Sequence, residues 1–334
     1  MFVNSQPQAQ EEDEVLDSSL RPKGWSDYIG QRHITDNLKI IIEAAKKRKE
    51  PIEHLLFYGN SGLGKTTLAH VVSNELGSRI HVCSAPSVER AGDLASILTN
   101  LEEGDVLFLD ECHRLHAPIM EMLYSAMEDF RLHLIVGKGP MARTMDIDLP
   151  KFSLIGATTR PASLPSPLRN RFGAVFQFDF YAQEDIERIL ARSASLLQVD
   201  ILPEALSFVA SRSRFTPRVA NRLLKRARDF ASIQNTAVTK EIAEYELSAL
   251  GIDSLGLEPG DRRILETLIS KFNGGPVGIQ TLAAATQEEE DTILDMYEPY
   301  LLQLGFLERT PRGRMATKSA HSHLSLQRHD SKLL

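Results

Sequence analysis

The run Gly59-Asn60-Ser61-Gly62-Leu63-Gly64-Lys65-Thr66 is a complete phosphate-cradling loop, and the apolar residues at 54–58 lead into it as a strand would. Glycines at these places let successive backbone N–H groups turn toward an anion, through dihedrals or close approaches that a Cβ obstructs. Lys65 at the loop's end suits the β- and γ-phosphates of a nucleoside triphosphate, and the Thr66 hydroxyl suits Mg²⁺. The pattern from Thr66 to about Leu76 is helical and stops at Gly77, so the positive end of its dipole faces the anion.

A second constellation is Asp110-Glu111, which ends the apolar run at 106–109. Strands of a parallel sheet present side chains at their carboxyl ends, where ligands bind. Asp110 suits a metal's ligand shell, and Glu111 suits orienting and deprotonating an attacking water. A lone Asp-Glu after a strand commonly just starts a helix, but following a phosphate loop it supplies the metal site and base that phosphoryl transfer needs together. Thr158 and Thr159 end the next apolar run, where a hydroxyl can reach the γ-phosphate or the water, or can simply cap a helix. Arg169 and Arg171 precede the last strand of the sheet; they suit γ-phosphate charge in a neighbouring subunit, or plain solvation. Thr216-Pro217-Arg218 starts a helix and offers a further cation. Cys112, His113 and His116 lie together but lack the spacing of a zinc site.

These groups need a scaffold. Apolar runs at 55–58, 80–83, 106–109, 152–156 and 175–178 alternate with helical patterns, which predicts an α/β fold: a parallel sheet with helices on both faces, spanning 20–181. Over 182–254 the pattern is helical throughout, with Ile186, Ile189, Leu190, Leu196 and Leu197 spaced for one face, and predicts a small helical domain. After the turn-rich 254–260, a third unit over 255–320 reads as a helix at 261–272 capped by Asp261, helices at 279–285 and 288–303, and two short strands. The strands flank Arg309-Thr310-Pro311-Arg312-Gly313-Arg314, so the unit looks like a winged helix whose Arg309, Arg312 and Arg314 suit phosphate contacts without base reading. Winged helices also bind proteins, so the fold alone leaves both readings open.

Residues 132–136 and 145–149 read as a hairpin inserted at about 130–150, around a turn at 137–140. Such an apolar hairpin, with Leu134, Ile135, Val136 and Ile147, needs a covering partner or folds back on its own domain. Residues 1–19 read as a disordered acidic leader, and 321–334 as a flexible tail with His321, His323 and His329 solvated.

Composition narrows the function classes. With a formal net charge of −7, a monomer does not coat nucleic acid by bulk electrostatics, so any such contact is local or made by a ring-shaped assembly. Two cysteines cannot build a disulfide framework, no apolar run is long enough to span a bilayer, and the polar start lacks a signal peptide; a cytoplasmic location follows as the expectation.

In this order the pieces resemble AAA+ ATPases, and more closely the RuvB family of branch-migration motors. The resemblance runs from Leu20 to about Thr317, with its most specific stretches at 20–31, 155–160, 220–224 and 305–317. It implies an AAA+ P-loop domain, a helical lid and a C-terminal winged helix. It also implies ATP and Mg²⁺ as cofactors, held by Gly62, Leu63, Gly64, Lys65, Thr66, Thr67 and Asp110. By the same resemblance Glu111 serves the water, Thr159 is the first sensor, Arg171 is the finger acting across subunits with Arg169 less favoured, and Arg218 is the second sensor. Leu20, Arg21, Tyr28, Ile29, Tyr181 and Pro217 match positions at the nucleotide. The implied partners are four-way junction and duplex DNA, a RuvA-like protein docking on the 130–150 hairpin, a RuvC-like resolvase, and further copies in a hexameric ring, with no membrane. The sequence departs from the family at Asn60 and Ser61, where prolines are usual, at Cys112, at His133 and at Phe215, where glycine is usual. The implied function is an ATP-dependent DNA translocase driving branch migration in recombination and repair. The alternatives are a nucleotide-switched assembly or clamp-loading protein without processive translocation, and a P-loop kinase, for which the chain past Gly251 would be idle.

Overall fold

Runs too apolar to face water on either side form the centre of the first of two compact units, residues 1–180 and 181–334. The structure is a computed structural model that describes residues 19–136 and 143–330, without the side chains of 135, 136, 143, 144 and 326–330. The leader up to residue 18, the expected turn at 137–140 and residues 331–334 lie outside the described residues.

The strands of the first unit are β1 (Leu55–Tyr58), β2 (Ile80–Ser84), β3 (Val106–Asp110), the hairpin pair β4 (Arg131–Val136) and β5 (Arg143–Asp148), β6 (Ser153–Thr158) and β7 (Ala174–Gln177). Five of them form a parallel sheet in the order β2-β3-β6-β1-β7. Every residue of β6 is buried, and β1 and β3 are buried up to their last residues, while the edge strands β2 and β7 alternate. That is the signature of a parallel sheet covered on both faces, which here reads as continuous apolar runs at the centre. Leu107, Leu109 and Leu154 from the sheet pack with Leu94, Leu98 and Leu123 from the helices Ala91–Thr99 and Ala117–Asp129.

The order has one consequence for chemistry. Because β6 lies between β1 and β3, the loop after β1, the carboxylates after β3 and the hydroxyls ending β6 share one edge, within about two strand spacings, or ~10 Å.

In the second unit, helices Gln183–Leu196, Pro203–Ser211, Pro217–Gln234 and Lys240–Ala249 form the expected helical domain. The winged helix follows as Pro259–Phe272, Ile279–Thr286, a helix over 290–303 whose middle turn Ile293–Tyr297 is π-helical, β8 (Leu307–Thr310), β9 (Gly313–Ala316) and a final helix Lys318–Asp330. Two expectations are corrected. Asp261 is not the cap of its helix: Glu258 is, and Asp261 sits a turn inside, where its carboxylate accepts the Glu258 N–H at 2.8 Å as half of a capping box. Asp261 is fully buried and pairs with Arg214 at 3.2 Å; burial raises its pKa to about 6, against the pull of Arg214. The chain past 320 is helical as far as Asp330, because Ala320 and Leu324, one turn apart, are buried in the winged-helix core. His323 is not solvated; its Nε2 lies 2.8 Å from Asp253 Oδ2, and its ring faces Phe306 at 5.1 Å.

Candidate functional site

The P-loop takes the shape its glycines allow. A Cβ on Gly59 would meet the Phe178 carbonyl at 2.7 Å, and Gly64 holds φ 91° immediately before the helix Lys65–Leu76. Lys65 is buried, and its Nζ donates to the carbonyls of Gly59 at 2.7 Å and Asn60 at 2.9 Å. The ammonium is thereby held over the loop, and Asn60 supplies its partner through the backbone, which explains why the side chain there is open to change. Thr66 and Thr67 occupy the first turn of the helix.

The segment bearing Leu20, Arg21, Tyr28 and Ile29 is pinned beside that helix. Trp25 N–H donates to Glu75 at 3.0 Å and Asn74 donates to the Lys23 carbonyl at 3.0 Å. Arg21 lies close enough to His70 that, after burial, its charge helps lower the His70 pKa to about 4. Gln31 was missed in the sequence; its amide exchanges two hydrogen bonds with the Asp179 backbone, at 2.7 and 3.2 Å, and so fixes the segment to the end of the sheet.

Across the shared edge, Asp110 Oδ1 accepts the Glu111 N–H at 2.9 Å, and Glu111 takes a left-handed backbone conformation, φ 49°. Its carboxylate lies 3.4 Å from the Thr159 hydroxyl, so the structure brings the candidate base and the candidate sensor together. His113, which the sequence offered only in a cluster without zinc spacing, adjoins the ends of both β3 and β6.

Arg171 is turned toward its own domain. Its Nη2 lies 2.6 Å from Glu128, its Nη1 donates to the Pro167 carbonyl at 2.8 Å, and it stacks 5.0 Å from the Tyr124 ring. Arg169 is exposed, with Nη2 at 3.4 Å from Ser166. In the second unit, Tyr181 N–H donates to the Phe215 carbonyl at 3.1 Å, which brings Tyr181 to the start of the helix that Pro217 and exposed Arg218 open. Phe215 takes φ 54°, the conformation a glycine there would adopt, at a cost of about 1–2 kcal/mol. Its ring packs on the winged-helix core, 6.4 Å from Tyr300, so the helix still begins at Pro217.

The wing divides its three arginines. Arg309 and Arg314 are directly opposed across β8 and β9, a like-charge pair that is unfavourable alone. Fully buried Glu298 resolves it, with Oε1 at 2.6 Å from Arg309 Nε and 3.1 Å from Arg314 Nε. Arg312 is exposed at the turn. In the hairpin, Leu132 is buried in its own domain's core and Leu134 and Ile147 pack against it, so its base folds back rather than standing out. Met145 is 47% exposed, and the side chains of Ile135 and Val136 lie outside the described residues. His133 lies opposite Asp146, 2.7 Å away.

Comparison with known proteins bears on all three regions. Family models match residues 20–178 as the Holliday junction DNA helicase RuvB P-loop domain, 181–253 as the RuvB AAA lid domain and 254–325 as the RuvB C-terminal winged helix domain. The chain belongs to the RuvB family. It is 55% identical over 316 residues to the Holliday junction branch migration complex subunit RuvB of Dehalococcoides mccartyi, covering 94% of this chain and 90% of that one. The RuvB subunit of Chloroflexus aurantiacus is 54% identical over 321 residues, covering 96% and 92%. The Thermotoga maritima RuvB Holliday junction branch migration motor superposes with a TM-score of 0.85 at 46% identity, covering 92% of this chain and 98% of that one. As a member of that family, the chain is a P-loop ATPase of the AAA+ type with its lid and winged helix in the family's order. No helix among the described residues is long and apolar enough to cross a membrane.

Proposed function

We propose that this chain is the ATP-hydrolysing motor of a Holliday-junction branch-migration complex, a DNA translocase acting in recombination and repair in the cytoplasm. The observation that carries this is the intact set Lys65, Thr66, Asp110, Glu111 and Thr159 along one sheet edge of a chain that matches all three RuvB modules. A dissociation assay on a synthetic four-way junction, with ATP, Mg²⁺ and a RuvA-type protein, tests it: the arms separate only when all are present.

The residues fit ATP and Mg²⁺. One hydroxyl and one carboxylate, Thr66 and Asp110, suit a hard cation that keeps waters and takes phosphate oxygens, and no group of three or more His, Cys, Asp or Glu among the described residues could hold a metal by itself. With ATP bound, Mg²⁺ supplies charge neutralisation at the phosphates. Lys65 and the amides of Gly62, Leu63 and Gly64 hold phosphate, Glu111 takes the proton from water, and Thr159 orients it. Leu20, Arg21, Tyr28, Ile29, Tyr181 and Pro217 serve the nucleotide, and Arg218 senses it. Arg171 leaves Glu128 to reach the nucleotide of a neighbouring subunit in a hexameric ring, and a RuvC-like resolvase completes the complex.

On the DNA side, Arg312 is the principal phosphate contact. Arg312→Ala weakens duplex binding about equally across sequences and lowers its salt dependence by roughly one phosphate equivalent. Arg314→Ala changes that slope less, because Arg314 is committed to Glu298; equal slopes for the two variants in a salt titration contradict this division. The exposed Met145 face of the hairpin docks the RuvA-type partner. Met145→Asp spares basal ATP turnover and removes stimulation by the partner, and retained stimulation places that interface elsewhere.

A further inference from the structure

One oxygen of the Glu111 carboxylate, Oε2, lies 3.2 Å from His113 Nδ1 as well as 3.4 Å from the Thr159 hydroxyl. The same Nδ1 lies 2.8 Å from Thr158 Oγ1, whose oxygen also accepts the Arg160 N–H at 2.9 Å. With Glu111 ionised, as a base must be, the proton belongs on Nδ1, where it is shared between the two oxygens. The His113 side chain is only 6% exposed and Thr158 is fully buried, so their contact is made where water competes little, while the Glu111 side chain, 31% exposed, keeps a side open to solvent. His113 thus joins the carboxylate after β3 to the hydroxyl that ends β6, the strand carrying the sensor.

We propose that His113 is a positioning residue for ATP hydrolysis: it holds Glu111 Oε2 against the end of β6 and so aims the other carboxylate oxygen at the attacking water. This rests on Glu111 being the group that takes the water's proton. A glutamate has three side-chain torsions, and only a few of their combinations present an oxygen to one water. Two donors on one oxygen, from His113 and Thr159, fix the plane of the carboxylate and leave its partner oxygen a single direction. Thr158 in turn fixes the imidazole, because its oxygen is itself anchored by the Arg160 backbone.

Substitution of the imidazole separates this role from packing. His113→Asn keeps a donor close to the Nδ1 position, whereas His113→Leu keeps bulk without one. In the full chain with Mg²⁺ and duplex DNA, His113→Leu lowers kcat about 30-fold with KM for ATP within about twofold, and His113→Asn stays within about threefold of the parent. In a Glu111→Gln background, His113→Leu lowers the residual turnover no further, because the group it aims is no longer a base. The proposal is overturned if His113→Leu keeps kcat within about threefold, if Asn and Leu lose alike, or if ATP binding falls in parallel with kcat, which marks a packing role. Full activity of Glu111→Gln alone overturns the assignment of the base, and this proposal with it; a dead Glu111→Gln beside an active His113→Leu overturns this proposal only.

Discussion

Lys65→Ala is expected to lower ATP turnover by at least about 10²-fold, the order lost when one group aimed at developing charge is removed, or ~3 kcal/mol of transition-state stabilisation. The Lys65 ammonium is already held by two backbone carbonyls of the loop, so in the proposed function it meets a phosphate without searching for it, and no other lysine lies in the loop. The fold should tolerate the change, since the two carbonyls belong to a loop whose path is set by its glycines and by the contact of Gly59 with Phe178. Phosphate release measured with and without duplex DNA checks it; unchanged turnover refutes the phosphate assignment.

Arg171→Ala carries the second large effect, about 10³-fold or more in turnover if the guanidinium completes a neighbour's site, as trans-acting arginines do in GTPases. Within its own chain the loss is small. Glu128, its ion-pair partner, is 62% exposed, and exposed pairs contribute about 0–1 kcal/mol. Stability and catalysis therefore respond very differently, which a thermal melt beside a turnover assay resolves. Doped into parent protein, the variant should depress junction movement out of proportion to its fraction; a loss in simple proportion points to subunits working alone.

Much of the candidate site was legible because its signals are local. Lys65 and Thr66 follow their glycines directly, and Asp110-Glu111 directly follow an apolar run, so sequence adjacency is also spatial adjacency. What the sequence withheld depends on contacts between distant segments. Nothing in it says that β6 inserts between β1 and β3, which is what brings Thr159 to Glu111. His113 carries no periodic or spacing signal, and its role appears only when Thr158, 45 residues away, is placed against it. Glu298 is 11 and 16 residues from the arginines it holds, so three cations on one wing read as three contacts. The terminal helix was hidden because, among its described side chains, only Ala320 and Leu324 are buried among polar neighbours, too few for a hydrophobic period. Asp261 was misplaced by one turn because a capping box has acidic or polar residues at both ends, and only the backbone tells which is the cap.

The hairpin shows the same limit in another form. Alternation identified two strands, but not that Leu132 belongs to the domain's own core, which leaves Met145 rather than Leu134 or Ile147 as the exposed apolar residue among the described side chains of the hairpin. Phe215 shows the reverse: a residue that breaks a local rule keeps the glycine conformation because its ring gains a place in the neighbouring core.

In the proposed function, a triphosphate bound by Lys65 in one subunit is completed by Arg171 of the next. Rings assembled from an equal mixture of Lys65→Ala and Arg171→Ala subunits test it most directly. A shared site places an intact Lys65 beside an intact Arg171 at about one quarter of the interfaces, so turnover recovers toward one quarter of the parent value although each variant alone is inactive. Turnover of the mixture that stays at the level of the separate variants contradicts the claim.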